Sequence, residues 1–108
     1  MAVSAEFRDY VLEQLRAVTP VTARPMFGGV GIYSGGSFFA LIADDVLYFK
    51  VDASTRPGYE AHGSQAFNPF GKASMNYYAL PEDVLEAEDE LRTWMRDAIG
   101  VARRAKKK

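Results

Sequence analysis

The fold is decided by residues 24–51, which read RPMFGGVGIYSGGSFFALIADDVLYFKV. Aromatic and β-branched residues dominate this stretch, and Ser34-Gly35-Gly36-Ser37 and Asp44-Asp45 interrupt it. Short interruptions of this composition between apolar runs are typical of β-hairpin turns. The pattern therefore predicts a meander of three antiparallel strands, at about residues 26–33, 37–43 and 46–51.

Helical patterns lie on both sides of this meander. Apolar residues recur with helical spacing over residues 5–18, where Ser4 is the expected N-cap and Pro20 ends the helix. A second stripe follows Pro81, which suits the first turn of a helix. Its apolar members are Leu91, Trp94, Met95, Ala98, Ile99 and Ala102.

The segment between the meander and the last helix is polar at first. A short helix capped by Ser54 or Thr55 and closed by Gly63 is expected there. Residues 73–80 then predict a strand, paired with a short one near 66–70. The expected fold is α+β in two layers, with an antiparallel sheet of about five strands. Its order is helix, three-strand meander, short helix, two strands and C-terminal helix.

Length and composition exclude several classes of protein. The 108 residues suffice for one domain, and the absence of cysteine excludes disulfides, thiolate metal sites and cysteine nucleophiles. A single histidine argues against a histidine-rich metal site, so we expect no cofactor. No apolar run is long enough for a membrane span, and no signal-peptide pattern opens the chain. We therefore expect a cytoplasmic protein without a membrane partner.

The charges are unevenly distributed along the chain. Net charge is −1, but removing five basic residues near the C-terminus leaves 8 basic against 14 acidic side chains. We predict a folded domain over residues 1–103 and a basic, disordered tail over 104–108. The basic residues that could contact nucleic acid are Arg103, Arg104, Lys106, Lys107 and Lys108. Such binding would be non-specific and salt-sensitive, and a solvated tail is the alternative.

No motif in the chain predicts catalysis. Residues 27–31, FGGVG, contain the glycines of a phosphate loop, but they run into a strand rather than a helix. We interpret them as a twisted or bulged strand entry that another backbone or a bulky side chain approaches closely. His62 and Ser64 show no spacing typical of a hydrolase triad. We therefore expect a protein that is not an enzyme.

The strands are unusual in being apolar on both faces. Residues 38–43 are apolar at every position, and Tyr48-Phe49 and Tyr77-Tyr78 are adjacent aromatic pairs. Because two long helices can cover only one face, the other is expected to carry the short helix, a partner or a second copy. Base stacking by these aromatic residues is less favoured than core packing, since few cations are interleaved with them.

One set of residues is the best candidate for an interaction surface. Its members are Arg24, Met26, Phe27, Gly28, Gly29 and Lys50. Arg24 and Lys50 are cations among apolar strand residues, where a charge requires a partner or a reason. The alternative is that each extends its charge into solvent or pairs with an acid such as Asp44 or Asp52.

Several of these segments match a known pattern. They are RPMFGGVGIY at 24–33, FALI at 39–42, LYFKVD at 47–52, MNYY at 75–78 and DEL at 89–91. In this order they resemble the N-terminal domain of the TfoX/Sxy family of bacterial competence regulators, over about residues 5–103. The resemblance implies a small α+β domain with a regulatory role, acting with the cyclic-AMP receptor protein at promoters of DNA-uptake genes. Longer members carry a second, helical C-terminal domain, so we expect a stand-alone N-terminal domain here.

Two main functional hypotheses follow. The first is a non-enzymatic regulatory module that acts by protein–protein contact, as a dimer or with a partner from the transcription machinery or another regulator. The second is a weak nucleic-acid-binding protein that uses the basic tail. A small-molecule binder that uses the glycine-rich strand and its aromatic neighbours is a third hypothesis.

Overall fold

The computed structural model describes residues 3–26, 28–68 and 74–106, except for the side chains of Ser74, Met75 and Lys106. In chain order the elements are α1 (Ala5–Arg16), β1 (Thr22–Met26), β2 (Gly29–Ser34), β3 (Ser37–Ala43), β4 (Val46–Lys50), α2 (Arg56–Ala61), β5 (Ala66–Phe67), β6 (Ser74–Ala79), α3 (Glu82–Glu86) and α4 (Glu88–Lys106). The strands form one sheet in the order β1-β2-β3-β4-β6-β5, with antiparallel pairing throughout. The predicted α+β fold is confirmed, with six described strands where about five were expected.

The helices pack on a single face of this sheet. Each of α1 to α4 contributes side chains to one buried cluster, and the strands and the segments that join them contribute the rest. Val11 and Leu15 come from α1, and Leu91 and Met95 from α4. The predicted cap of the first helix is confirmed, since the Ser4 hydroxyl accepts a hydrogen bond from the Phe7 N–H at 3.1 Å.

Both predicted hairpin turns are confirmed, and their backbone explains their composition. Gly35 and Gly36 have φ values of 55° and 82°, and Asp44 and Asp45 have values of 51° and 56°. Positive φ at both central residues matches the right-handed twist of the strands, and glycine and aspartate tolerate it best.

The first predicted strand, at about 26–33, is wrong in its extent. Strand β2 begins only at Gly29, and Met26 belongs to a separate strand, β1, which pairs with β2 in the opposite direction. Gly28, in this reversal, has a φ of 77°. β1 is an edge strand, where Pro25 is tolerated because fewer of its backbone groups need partners. Because Pro25 and its polar neighbours show no alternation of apolar and polar residues, the sequence pattern did not predict β1.

A β-bulge accounts for the continuous apolar run in β3. Ile32 lies opposite Ala40 and Tyr33 lies opposite Phe38, so Phe39 is an extra residue in β3. Phe39 and Ala40 therefore both join the buried cluster, whereas the ring of Phe38 contacts Tyr33.

The C-terminal helical segment differs from the prediction at both ends. Pro81 precedes the short helix α3, and the extended backbone of Ala87 separates it from α4. Helix α4 then runs through Lys106, so residues 104–106 of the predicted disordered tail are helical, and Lys107 and Lys108 lie outside the described residues. None of the helices in the described part of the chain is long and apolar enough to cross a bilayer.

An ion pair explains why the helix continues this far. The Arg104 guanidinium donates to Asp52 Oδ2 at 2.9 Å, and the other carboxylate oxygen accepts from the hydroxyl and N–H of Ser54. These hydrogen bonds, Ser54's first, hold the pKa of Asp52 well below its usual range. The carboxylate thus connects the turn after β4 to the end of α4.

We expect Asp52→Ala to lower the free energy of unfolding by about 1 kcal/mol near neutral pH, since it removes a turn cap and a partly exposed ion pair. Because the folded-state pKa is lowered, this contribution is complete above the ordinary aspartate pKa and is lost as pH falls through the folded value. Urea unfolding near pH 7 and near pH 2.5 measures it, and the gap between the proteins should narrow in acid. Asp9→Ala, which breaks only an exposed pair with Arg8, is the control and should have a smaller effect.

Candidate interaction surface on the open face of the sheet

The side of the sheet opposite the helices is not covered by any helix of the described chain. We call it the outer face. Ile32, Ala40 and Phe49 lie across from one another in the buried cluster, so the neighbouring strand positions point the other way, except for the extra residue Phe39, which also joins the cluster. From register and side-chain contacts, the described side chains of the outer face include Arg24, Met26, Tyr33, Phe38, Leu41, Tyr48, Lys50, Phe67 and Tyr77.

Three rings form a continuous strip across this face. The centroids of Tyr33 and Phe38 are 5.2 Å apart, and those of Phe38 and Tyr77 are 5.8 Å apart. We call Tyr33, Phe38 and Tyr77 the aromatic strip. All three are half-buried, and burial raises the pKa of Tyr77 to about 12. The phenol of Tyr77 is therefore neutral at physiological pH and packs as an apolar group.

Each end of the aromatic strip carries a cation. The guanidinium carbon of Arg24 lies 5.6 Å from the centroid of Tyr33, and Lys50 Nζ lies 5.7 Å from the centroid of Tyr77. These distances are within the range of cation–π attraction. In the described part of the chain, no carboxylate lies within ion-pair distance of Arg24 or Lys50. The alternative pairing of Lys50 with Asp52 is not found, since Asp52 binds Arg104.

Gly31 makes the close packing of this surface possible. A Cβ at Gly31 would lie 2.9 Å from Met26 Cε and 3.1 Å from Phe38 Cε1. The absence of a side chain there lets Met26 and Phe38 approach each other across β2. A second aromatic pair, Tyr48 and Phe67, packs nearby with centroids 5.0 Å apart.

The structure brings together only part of the predicted interaction surface. Arg24, Met26 and Lys50 share the outer face, while Gly28 lies in the turn between β1 and β2. Gly29 packs against the carbonyl oxygen of Ile42, which confirms the predicted close approach of another backbone. Phe27 lies outside the described residues.

The expectation that the aromatic residues pack in the core holds for only some of them. Phe39, Phe49, Tyr59 and Tyr78 are buried in the cluster below the sheet. The missed members of the surface are Tyr33, Phe38, Tyr48, Phe67 and Tyr77. The adjacent pairs Tyr48-Phe49 and Tyr77-Tyr78 carried the signal, because neighbouring strand residues must point to opposite faces.

Of the predicted nucleic-acid residues, Arg103, Arg104 and Lys106 lie at the end of α4. Arg103 is exposed, and Arg104 is engaged by Asp52. The Lys106 side chain, Lys107 and Lys108 lie outside the described residues. Lys50 and Arg104 line one groove of about 460 Å³, so the two predicted surfaces adjoin each other.

His62 has a packing role. Its Nδ1 lies 3.0 Å from the Gly58 carbonyl oxygen, and its ring packs edge-on against Trp94 with centroids 5.2 Å apart. Within the described ranges, no three His, Cys, Asp or Glu side chains are grouped so that they could hold a metal ion. The outer face itself offers apolar surface and positive charge, which are the means of binding rather than of proton transfer.

Comparison with known proteins gives one family. The model of the TfoX N-terminal domain matches residues 13–102. No curated protein shows significant similarity to the chain.

Proposed function

The chain belongs to the TfoX N-terminal domain family, and we propose that it is a non-enzymatic regulatory module that binds a protein partner through the outer face. The observation that carries this proposal is the aromatic strip with a cation at each end, on a sheet face that no described helix covers. Tyrosine, phenylalanine, methionine and arginine are the residue types enriched at protein interfaces, and this face presents all of them.

Family membership supports a partner in transcription. The resemblance to competence regulators favours the transcription machinery, or a regulator that works with it, as the partner, and the proposed module acts in the cytoplasm. The alternative of non-specific nucleic-acid binding through the C-terminal cations is less favoured, because Arg104 already neutralises Asp52. Fewer cations then remain for phosphate than the sequence contains.

The proposal is tested by transcript profiling in the native host. A deletion strain is complemented with the wild type or with the double variant Phe38→Ala/Tyr77→Ala, which removes two rings of the aromatic strip. We expect this variant to lose the transcript changes that the wild type restores, while circular dichroism shows that it folds. Tyr10→Ala removes an aromatic ring that is 38 % exposed on α1 and should regulate normally. Wild-type regulation by the double variant would contradict the proposal.

A further inference from the structure

We infer that the partner of the outer face is an acidic and apolar protein segment, in which one large apolar side chain lies between two carboxylates. This inference rests on the proposed function and specifies the chemistry of the partner. In an extended segment, the pattern is acid–x–apolar–x–acid.

The charges of the outer face select an anionic partner. Its charged side chains among the described residues are Arg24 and Lys50, and both are cations. The acidic residues of 82–90 lie on α3 and α4, in the helical layer. Burial and the charge of Asp44 raise the pKa of Tyr48, so Asp44, in the turn before β4, is an acid at one edge of the outer face, whereas Lys50 lies at the other end of that strand. A carboxylate approaching Arg24 or Lys50 therefore meets a cation that is not neutralised by an ion pair in the described chain.

The surface between the cations selects an apolar group. Phe38 is in the middle of the aromatic strip and contacts both flanking rings. It is half-buried, so part of its ring remains in contact with solvent. An aromatic or large aliphatic side chain that packs on Phe38 would remove this apolar surface from water, which is the main favourable term in association.

Sheet geometry sets the spacing of the two carboxylates. Arg24 is in register with Gly31, Leu41 and Tyr48, so Lys50 lies three strands away and two residues further along β4. At about 4.8 Å per strand and about 3.3 Å per residue, the two backbone positions are roughly 16 Å apart. An extended chain rises about 3.3 Å per residue and places residues i, i+2 and i+4 on one side, so i and i+4 are roughly 13 Å apart. Because the long side chains of Arg24 and Lys50 can cover the difference, a segment that crosses the strands obliquely can reach both cations and place its central residue on Phe38.

The same charges disfavour two other occupants. A second copy bound through a two-fold axis would place this face against itself, so Arg24 and Lys50 would meet the same cations of the copy. Asp44, the acid near Tyr48, lies in the turn before β4, at the end of that strand away from Lys50. Single-stranded nucleic acid could stack on the rings, but two cations neutralise only about two phosphates. An acidic and apolar peptide uses both features of the surface.

Nuclear magnetic resonance titration of the full, nitrogen-15-labelled chain tests the inference. The probe is the peptide GSESFSESG, and the controls are GSKSFSKSG and GSESASESG. We expect GSESFSESG to shift the amide resonances of β1 to β4 and β6, with a Kd on the order of 1 mM or tighter. Each control peptide should bind at least about tenfold more weakly, because it lacks the carboxylates or the central ring.

Charge-reversal variants give a second readout. Arg24→Glu/Lys50→Glu should weaken binding of GSESFSESG at least about tenfold, and should improve binding of GSKSFSKSG. The matched control Arg92→Glu/Arg96→Glu reverses two exposed cations on α4 and should leave the titration unchanged. Equal loss in both double variants would overturn the inference, since the effect would then reflect net charge alone.

Three further outcomes would overturn it. Stronger shifts of the same resonances by a single DNA strand of nine thymidine nucleotides would identify nucleic acid as the occupant. Concentration-dependent shifts at these strands without peptide would identify a second copy. Absence of shifts with every probe would exclude a partner of this chemistry. If the peptide fails while Phe38→Ala/Tyr77→Ala still abolishes regulation, the proposed function stands and only the partner's chemistry is wrong.

Discussion

Replacing Phe39 by alanine should lower the free energy of unfolding by about 4 kcal/mol, whereas the same change at the adjacent Phe38 should cost about 1 kcal/mol. Phe39 is fully buried and packs edge-on against Phe49, with centroids 5.6 Å apart. Phe38 is half-buried on the outer face, where water already contacts part of its ring. Urea unfolding followed by the fluorescence of the single tryptophan, Trp94, measures both variants.

The contrast between the two variants tests the β-bulge. In a regular strand without the extra residue, Ala40 would still face the buried cluster, so Phe39 would point outward and Phe38 inward. If Phe39→Ala leaves too little stability, Phe39→Leu is compared with Phe38→Leu, and we expect only the change at position 39 to lower the free energy of unfolding by about 1 kcal/mol. Equal losses for the same substitution at positions 38 and 39, or a larger loss at 38, would show that β3 is not bulged there.

Gly29→Ala should lower the free energy of unfolding by about 3 kcal/mol and the Tm by roughly 15 °C. A Cβ at this position would overlap the carbonyl oxygen of Ile42, which belongs to the neighbouring strand β3. A backbone atom in the sheet cannot move aside as a flexible side chain can, so the strands would have to separate locally. Calorimetry of the variant measures the loss directly.

Gly58→Ala is the matched control for Gly29→Ala. Gly58 lies in α2, and a Cβ there would have no atom within 4 Å. Because alanine favours the helix over glycine, this variant should be unchanged or more stable by about 0.5 kcal/mol. A Gly29→Ala protein as stable as Gly58→Ala would exclude the close approach of β2 and β3.

The hairpin turns and the start of α1 were predictable because local chemistry determines them. Gly35-Gly36 and Asp44-Asp45 tolerate the positive φ that a tight hairpin needs, and the Ser4 hydroxyl caps α1 three residues away. These signals lie within a few residues of the structure they specify. The edge strand β1 escaped the same reasoning, because Pro25 and its polar neighbours carry no apolar alternation.

Three residues of the outer face were predicted from the sequence, whereas its aromatic residues were not. Arg24, Met26 and Lys50 stood out as cations or large apolar residues in or beside predicted strands. Which member of Tyr77-Tyr78 faces outward depends on the pairing of β6 with β4, where Phe49 lies opposite Tyr78 and Lys50 opposite Tyr77. That pairing joins strands separated by α2 and β5, and no local pattern specifies it.

The amino-acid sequence alone therefore determined the α+β class, the two hairpin turns, the cap of α1 and the family, because each depends on residue types close together in the chain. Only the tertiary structure decided the bulge at Phe39, the two-sided sorting of the aromatic residues and the pairing of Asp52 with Arg104, which are 52 residues apart. These features depend on register and on contacts between distant segments. A shift of one residue in register would exchange the two faces of a strand and remove the outer face as it stands.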